Sequence, residues 1–351
     1  MKDILPYVDA WRQQHEPMAI ATVVDTWGSA PRPIGSKLAA TRSGSFAGSV
    51  SAGCVEGAVL EESAVVIDTG ASRLLTYGVS DDTAWDVGLA CGGTIRILVE
   101  PFAAWEGVYD VLRQRIEDRE PMAIVSVLAG LPAASQMGKL IVRPDGSTAG
   151  SLDLQDRRQA AVAAALAQLA QGAGAVLDLD EGLTLFVEVY PRPRRLIIVG
   201  AVHIAEPLIG MANLAGFDTV VVDPRSAFAT RERFPQATDI IRGWPDDVLP
   251  GLDLDETAFV VVLTHDPKID DPALRVALTS GAAYVGALGS KRTNRLRIER
   301  LRAAGLSEEA LARLHAPIGL DLGGRSPAEI AVSILAEVVQ VRSQSLSSRP
   351  R

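Results

Sequence analysis

The chain has 351 residues, of which 48% are hydrophobic and 22% are charged, and its formal net charge is −9 at pH 7. This length is sufficient for two domains, each with its own hydrophobic core. The acidic balance argues against nucleic acid as the main partner, because binding to a phosphate backbone depends on clustered cations.

Neither a membrane-spanning nor a secreted protein is indicated. No apolar run approaches the ~18 residues of a transmembrane helix. The stretch from Met1 to Tyr7 mixes charges and a proline, whereas a signal peptide has an unbroken apolar segment. Two cysteines in the whole chain are too few for a disulfide framework. We therefore expect a cytoplasmic protein with free thiols.

Residues 1–190 alternate strand-like and helical patterns, which predict an N-terminal α/β domain. The predicted strands are Met18 to Trp27, Lys37 to Thr41, Thr94 to Glu100, Met122 to Leu128, Leu140 to Val142 and Thr184 to Val189. The predicted helices are Cys54 to Ile67, Trp105 to Arg119 and Gln155 to Gln171. We find no internal repeat in this region. The prolines and cations from Tyr190 to Arg194 indicate a domain boundary.

Residues 195–345 have a more regular pattern. Continuous apolar strands alternate with helices, which predicts a parallel sheet covered on both faces. These strands are Leu196 to Val199, Thr219 to Val222, Phe259 to Leu263 and Ala283 to Val285. Ser326, Pro327 and Glu329 form a capping-box pattern before a final helix, Ile330 to Val341. The expected fold is a Rossmann-like, doubly wound parallel sheet.

The first strand of this second domain leads into a variant of the dinucleotide fingerprint. The segment Gly200 to Ala205 occupies the position of G-x-G-x-x-G/A, and Asp223 ends the next strand, where a carboxylate binds ribose. However, the middle glycine is replaced by Val202. Because that glycine lets the backbone approach a pyrophosphate, we expect weak or absent NAD(P) binding.

Polar side chains follow the first and fourth strands of this domain. His203 lies at the start of a helix, where it either caps the helix or donates to an anion. His265 and Asp266 come after the fourth strand, at the carboxyl edge where doubly wound sheets bind ligands. A plain polar turn is the alternative for these two residues.

The next strand ends in a glycine turn, Gly286 to Thr293, whose helix starts with Ser290, Lys291 and Arg292. Cations at a helix N-terminus oppose the helix dipole. We therefore predict a phosphate site at this turn, with solvent-exposed cations as the alternative.

The two cysteines both have glycine neighbours. Cys54 follows Gly53 at the start of a predicted helix, and Cys91 precedes Gly92 and Gly93. A helix N-terminus favours the thiolate, which is a nucleophile and a soft metal ligand. Burial as small core residues is the competing interpretation.

Several motifs in order resemble the xanthine dehydrogenase accessory protein family (XdhC/CoxI), from about Met18 to Val339. Its N-terminal domain is similar through Gly28 to Arg32, Cys54 to Glu56 and Leu89 to Thr94. Its Rossmann domain is similar through Val222 to Arg225, Thr264 to Pro267, Gly286 to Ser290 and His315 to Asp321. The family usually has Gly-Gly-Cys at Ala52 to Cys54, and Gly-Ala-Gly-His at Gly200 to His203.

The resemblance implies a protein that binds the molybdenum cofactor (molybdopterin), supports its sulfuration and delivers it to a molybdenum hydroxylase. Cys54 is then the first candidate for contact with the molybdenum, and Cys91 is the second. The candidate cofactor-binding residues are Cys54, Cys91, Arg32, Glu56, Gly200, His203, Asp223, Arg225, His265, Asp266, Ser290, Lys291 and Arg292.

Two other functions compete with this interpretation. One is an NAD(P)-dependent oxidoreductase that uses Gly200 and Asp223, with His203 or His265 as proton donor. The other is a non-catalytic partner of the hydroxylase or of a cysteine desulfurase that holds the cofactor only transiently. The residue pattern contains no convincing general acid and base pair, which favours a carrier over an enzyme. Exposed sheet edges also suggest a homodimer.

Overall fold

The computed structural model describes residues 1–78, 93–132, 137–179 and 182–347. The chain divides into two compact units, Met1–Arg192 and Pro193–Arg351. Within the described ranges, no helix combines the length and the apolar character needed to cross a bilayer.

The first unit contains two antiparallel five-stranded sheets. The first sheet and its helices comprise α1 (Leu5–Gln13), β1 (Met18–Trp27), β2 (Lys37–Thr41), β3 (Phe46–Gly48), α2 (Glu56–Thr69), β4 (Arg73–Tyr77) and β5 (Thr94–Pro101). The second comprises α3 (Ala103–Glu117), β6 (Met122–Ala129), β7 (Leu140–Val142), β8 (Thr148–Gly150), α4 (Arg158–Gln171), β9 (Ala175–Asp178) and β10 (Thr184–Tyr190). Their strand orders are β3-β2-β1-β5-β4 and β8-β7-β6-β10-β9.

These two sheets are copies of one α-β-β-β-α-β-β unit, so the expectation of no internal repeat was wrong. The sequence EPMAI occurs at Glu16 to Ile20 and again at Glu120 to Ile124, each time after a helix. The residues two positions after these helices, His15 and Arg119, have φ angles of 55° and 59°. The hairpins also match, because GSFAGS at Gly44 to Ser49 becomes GSTAGS at Gly146 to Ser151.

The two copies pack against each other through equivalent side chains. Val24 and Leu98 of the first sheet form one buried cluster with Leu128 and Phe186 of the second. Val24 and Leu128 occupy matching positions of β1 and β6, as do Leu98 and Phe186 of β5 and β10. The arrangement therefore has approximate two-fold symmetry.

Two buried lysines follow the same symmetry. Lys37 Nζ donates to Thr22 Oγ1 of its own sheet at 3.0 Å and to Glu188 Oε2 of the other sheet at 2.8 Å. Lys139 Nζ donates to Ser126 Oγ of its own sheet at 2.7 Å and to Glu100 Oε2 of the other sheet at 2.5 Å. Both lysine side chains are fully buried. Each copy therefore supplies the carboxylate that the other copy's lysine requires.

The ring of Trp105 lies near both ammonium groups. Its centroid is 4.9 Å from Lys37 Nζ and 4.7 Å from Lys139 Nζ. Burial lowers the pKa of Lys139, and the charge of Glu100 opposes this shift. The cations are thus stabilised by a carboxylate, a hydroxyl and an aromatic face in place of water.

The second unit is a six-stranded sheet in the order β13-β12-β11-β14-β15-β16, with every neighbouring pair parallel. Its strands are β11 (Arg194–Val199), β12 (Phe217–Val222), β13 (Asp239–Ile241), β14 (Ala258–Val262), β15 (Tyr284–Ala287) and β16 (Leu314–His315). Its helices are α5 (Ala205–Leu214), α6 (Pro245–Val248), α7 (Pro267–Leu278), α8 (Lys291–Ala303), α9 (Glu308–Ala312) and α10 (Pro327–Ser347). This is the Rossmann strand order, which confirms the predicted fold.

We expect Lys139→Met to lower the free energy of unfolding by about 3–5 kcal/mol, because it leaves Glu100 buried without its cation. A double variant that also carries Glu100→Leu should regain most of this loss. As a control, Arg42→Met breaks an exposed ion pair with Asp68 and should change stability by ~1 kcal/mol or less. Urea unfolding measures all three. A double variant no more stable than Lys139→Met would contradict the assigned role of the pair.

Candidate functional site

Cys54 lies in the loop that connects β3 to α2, and its side chain is exposed and free. The predicted helix over Cys54 to Ile67 was placed too early, because α2 begins at Glu56 with Val55 as its N-cap. Ala52 and Gly53 have φ angles of 59° and 115°, so the chain makes a sharp non-helical turn before Cys54. The thiol therefore projects from a turn just outside the helix.

Glu56 holds this loop. Its Oε1 accepts hydrogen bonds from Ser49 Oγ at 2.7 Å, from the amide of Ser51 at 2.9 Å and from the amide of Val50 at 3.2 Å. Its Oε2 accepts from the amide of Gly53 at 2.8 Å and from the hydroxyl of Ser51. Both oxygens are thus used by the segment that carries the thiol, so Glu56 positions the loop.

The same bonds explain the acidity of Glu56. Burial acts to raise its pKa, but the hydroxyls of Ser51 and Ser49 and the amides of Ser51 and Gly53 outweigh burial and lower the pKa to about 2. The folded-state pKa lies below the usual value of 4.5. The ionised carboxylate therefore stabilises the loop fully at a pH above 4.5. The contribution declines as the pH falls through about 2.

The second copy of the repeat has no such site. At the same spacing from Gly48 and Gly150, Cys54 corresponds to Asp156, and Glu56 corresponds to Arg158. Arg158 donates to Thr148 Oγ1 at 2.9 Å. The thiol and its supporting carboxylate therefore belong to the first copy alone.

Cys91 and Arg32 are the other two predicted site residues of this unit. Cys91 lies outside the described residues. Arg32 lies in the loop between β1 and β2 and is half-buried, and its Nε is shielded and has no hydrogen-bond partner among the described residues. Ala30 of the same loop packs against a core cluster that contains Val55. The Arg32 loop thus adjoins the segment that follows Cys54.

In the second unit, the turn after β11 requires glycine at its first position. Gly200 has a φ of 110°, and a Cβ there would collide with the side chain of Thr264. Val202 is half-buried and packs against the core. Its amide donates to the carbonyl of Gly200 at 2.9 Å, so it is engaged within the turn.

Asp223, predicted to face a ribose, is fully buried and bonded internally. Its Oδ1 accepts from Arg225 Nε and its Oδ2 from Arg225 Nη2, at 2.9 and 2.7 Å. The amide of Ala201 also donates to Oδ2, at 2.7 Å. Burial acts to raise the pKa of Asp223, but the side chain of Arg225 and the amides of Ala201 and Arg225 lower the pKa. The oxidoreductase alternative thus lacks a free ribose-binding carboxylate.

A cleft of about 710 Å³ lies at the carboxyl edge of this sheet. It brings together four of the predicted site residues, His203, Arg225, His265 and Asp266. Gly200 lies against Thr264 and Asp223 bonds Arg225, and both of these partners line the cleft. The remaining lining is mostly apolar and consists of Val202, Ile204, Leu263, Thr264, Pro267, Leu288 and Pro327.

A buried polar network fixes one side of the cleft. Asp270 accepts from Arg297 Nη2 at 2.7 Å and from the hydroxyl of Thr264. Arg297 also donates to the carbonyl of Leu288 at 3.0 Å and to Asn294. Burial raises the pKa of Asp270. The network ties the ends of β14 and β15 together, and it was missed because Arg297 lies among several exposed arginines of α8.

The predicted phosphate site at Gly286 to Thr293 stays a prediction. Ser290 caps α8, as its Oγ accepts from the amide of Thr293 at 3.1 Å. Lys291 and Arg292 are exposed and do not line the cleft. Neither makes an ion pair within the part of the chain that the structure describes.

Glu337 of α10 was not singled out from the sequence. It accepts from Tyr284 Oη at 2.5 Å and from the amide of Gly319 at 2.8 Å, and it lies 3.0 Å from His315 Nδ1. It thereby fixes the segment from His315 to Gly319, which leads towards the start of α10.

We expect Glu56→Ala to accelerate amide hydrogen exchange at Ser51 and Gly53 by about tenfold, because each amide loses a charged acceptor. The matched control is Glu61→Ala, an exposed residue of the same helix, which should leave this loop protected. Mass spectrometry of the peptide around Cys54 measures the exchange. Equal protection in both variants would show that Glu56 does not hold the loop.

We also expect NAD and NADP to bind more weakly than the low micromolar range. Val202→Gly alone should change little, because Asp223 remains paired with Arg225. The double variant that also carries Arg225→Ala exposes the backbone at position 202 and frees the carboxylate of Asp223. It should therefore strengthen the binding of NAD and NADP. Calorimetric titration checks this, and a low micromolar dissociation constant for the unmodified chain would refute it.

Comparison with known proteins agrees with this architecture. A family model described as the XdhC and CoxI family matches residues 11–78, and a model described as the XdhC Rossmann domain matches residues 196–338. A crystal structure of a xanthine dehydrogenase from Bacillus halodurans superposes with a TM-score of 0.77 at 26% identity, covering 99% of this chain and 98% of that one.

Two curated relatives align along most of the chain. A Bacillus subtilis protein, named as a probable subunit of xanthine dehydrogenase, is 29% identical over 348 residues, which is 96% of this chain and 97% of that protein. "Molybdenum cofactor insertion chaperone PaoD" of Escherichia coli is 28% identical over 325 residues, 92% and 83% of the two chains. Models of one family match both units, and the chain belongs to the XdhC and CoxI family.

Proposed function

We propose that this chain binds the molybdenum cofactor, supports its sulfuration and delivers it to a molybdenum hydroxylase of the xanthine dehydrogenase type. The observation that carries the proposal is the exposed thiol of Cys54 on a loop held by Glu56. This loop lies within the segment that matches the XdhC and CoxI family model.

The chemistry of the loop suits a molybdenum centre as cargo. A thiolate is a soft ligand, and molybdopterin already supplies sulfur and oxygen ligands to its metal. Among the described residues, no group of three or more His, Cys, Asp and Glu side chains is suited to a metal ion. One protein thiol added to the ligands of the cargo gives a contact that can be released, as delivery requires.

Preorganisation supports the same role. Five hydrogen bonds from Ser49, Val50, Ser51 and Gly53 converge on Glu56. The loop does not have to order itself when cargo binds, which reduces the entropic cost of binding. A carrier needs this positioning and does not need a general acid and base at one reacting atom.

The names of two relatives support a maturation role, since one is called a molybdenum cofactor insertion chaperone and the other is named for xanthine dehydrogenase. The cysteine desulfurase partner, the homodimer and the cytoplasmic location stay predictions. The other candidate contacts also stay predictions: Cys91, Arg32, Glu56, Gly200, His203, Asp223, Arg225, His265, Asp266, Ser290, Lys291 and Arg292.

We expect Cys54→Ser to lower the molybdopterin bound per chain by about tenfold, equivalent to ~1.4 kcal/mol of binding free energy. The comparison variant is Cys91→Ser, which should retain more cofactor. All chains are isolated from cells that produce the cofactor, and pterin and molybdenum contents are measured together with circular dichroism to check folding. Unchanged stoichiometry in a folded Cys54→Ser variant would overturn the assignment of Cys54.

A further inference from the structure

The cleft of the second unit lacks three features by which a Rossmann fold binds a dinucleotide: bare backbone for the pyrophosphate, free backbone amides and a free carboxylate. The side chain of Val202 stands where a pyrophosphate needs bare backbone. The amides of Ala201 and Val202 donate to Asp223 Oδ2 and to the carbonyl of Gly200. Asp223 is bonded to Arg225 through both oxygens. The amides of Ala201 and Val202 and the carboxylate of Asp223 are therefore engaged within the protein and not offered to such a ligand.

Side-chain donors take the place of these backbone donors. Arg225, His203 and His265 line the same cleft. Arg225 is held in place by Asp223 and by the ring of Phe228, whose centroid is 4.2 Å from its guanidinium carbon. Its Nη1 has no hydrogen-bond partner among the described residues. The one acidic lining residue, Asp266, accepts from the amide of Lys268 at 3.0 Å as the N-cap of α7.

These donors fit an anion with several oxygen acceptors. A guanidinium offers a planar fork, and each imidazole offers at least one N–H. A phosphate monoester presents three terminal oxygens, which matches three separate side chains. The exposed positions of His203 and His265 leave both rings accessible from solvent.

The rest of the cleft is mostly apolar and so fits an apolar part of a ligand. Val202 and Ile204 lie on the α5 side, Leu263 and Pro267 at the end of β14 and the start of α7, and Leu288 after β15. The volume of about 710 Å³ falls within the range of small-molecule sites. We propose that this cleft binds a planar heterocycle that carries one phosphate, with His203, His265 and Arg225 on the phosphate.

His203, Arg225 and His265 are also candidate contacts of the molybdenum cofactor, but this proposal concerns the second unit by itself and is tested with ligands that contain no molybdenum. Its failure would leave the role of Cys54 untouched. Equally, a chain that retains no molybdopterin can still bind a phosphorylated heterocycle here.

Calorimetric titration of the full chain with AMP, GMP, CMP and UMP tests the proposal, with the corresponding nucleosides and inorganic phosphate as partial ligands. We expect at least one nucleotide to bind tenfold or more tightly than its partial ligands. For that nucleotide, His203→Asn and His265→Asn should each weaken binding by about tenfold, because the shorter side chain withdraws its donor. Binding of the corresponding nucleoside should not change.

The matched control is His15→Asn, an exposed histidine of the first unit whose left-handed backbone asparagine tolerates; it should bind the nucleotide like the parent. Three results would overturn the proposal: no nucleotide binding below about 1 mM, equal affinity for every nucleotide and its own nucleoside, or NAD binding tighter than every monophosphate. A fourth result would also overturn the proposal: a double variant with Lys291→Ala and Arg292→Ala loses nucleotide binding while the histidine variants keep it. This result would place the phosphate at the start of α8.

Discussion

The first unit depends on two buried lysines that each bind a carboxylate of the opposite repeat. Lys37 pairs with Glu188 and Lys139 with Glu100, so neither repeat can bury its lysine alone. An ionised amine without a partner in the core is strongly destabilising. The pairs therefore fix how the two sheets face each other, with the ring of Trp105 close to both ammonium groups.

Lys37 is also connected to the loop that carries the thiol. The carbonyl of Lys37 accepts from the amide of Ser49 at 2.9 Å, and Ser49 Oγ donates to Glu56 at 2.7 Å. Glu56 in turn bonds the amide of Gly53, which precedes Cys54. Hydrogen bonds through Ser49 and Glu56 thus connect the backbone of Lys37 to Gly53, the residue before the exposed thiol. The second repeat keeps the lysine and the glycine that ends its third strand, but it has Asp156 and Arg158 where the first has the thiol and its supporting carboxylate.

Long apolar strands were predictable because their pattern is local. Met18 to Trp27 and the central strands of the Rossmann sheet stand at the predicted positions. The three-residue strands β3 and β8 carry too little pattern to be recognised. The repeat was hidden because the spacing between equivalent residues falls from 104 at Met18 and Met122 to 88 at Glu100 and Glu188. The hydrogen-bond partners of individual side chains could not be predicted from the sequence either. Glu56 and Asp223 carry carboxylates that could bind a ligand, but in the structure both accept hydrogen bonds from their own loops.

The central claim is that Cys54 contacts the molybdenum of its cargo. X-ray absorption at the molybdenum edge counts the sulfur atoms around the metal. The chain loaded with cofactor should show one sulfur neighbour more than the free cofactor in the same buffer, and this neighbour should be retained in Cys91→Ser and absent from Cys54→Ser, which distinguishes the thiol from a sulfur added to the cofactor. Identical sulfur shells for the loaded chain and the free cofactor would contradict the claim.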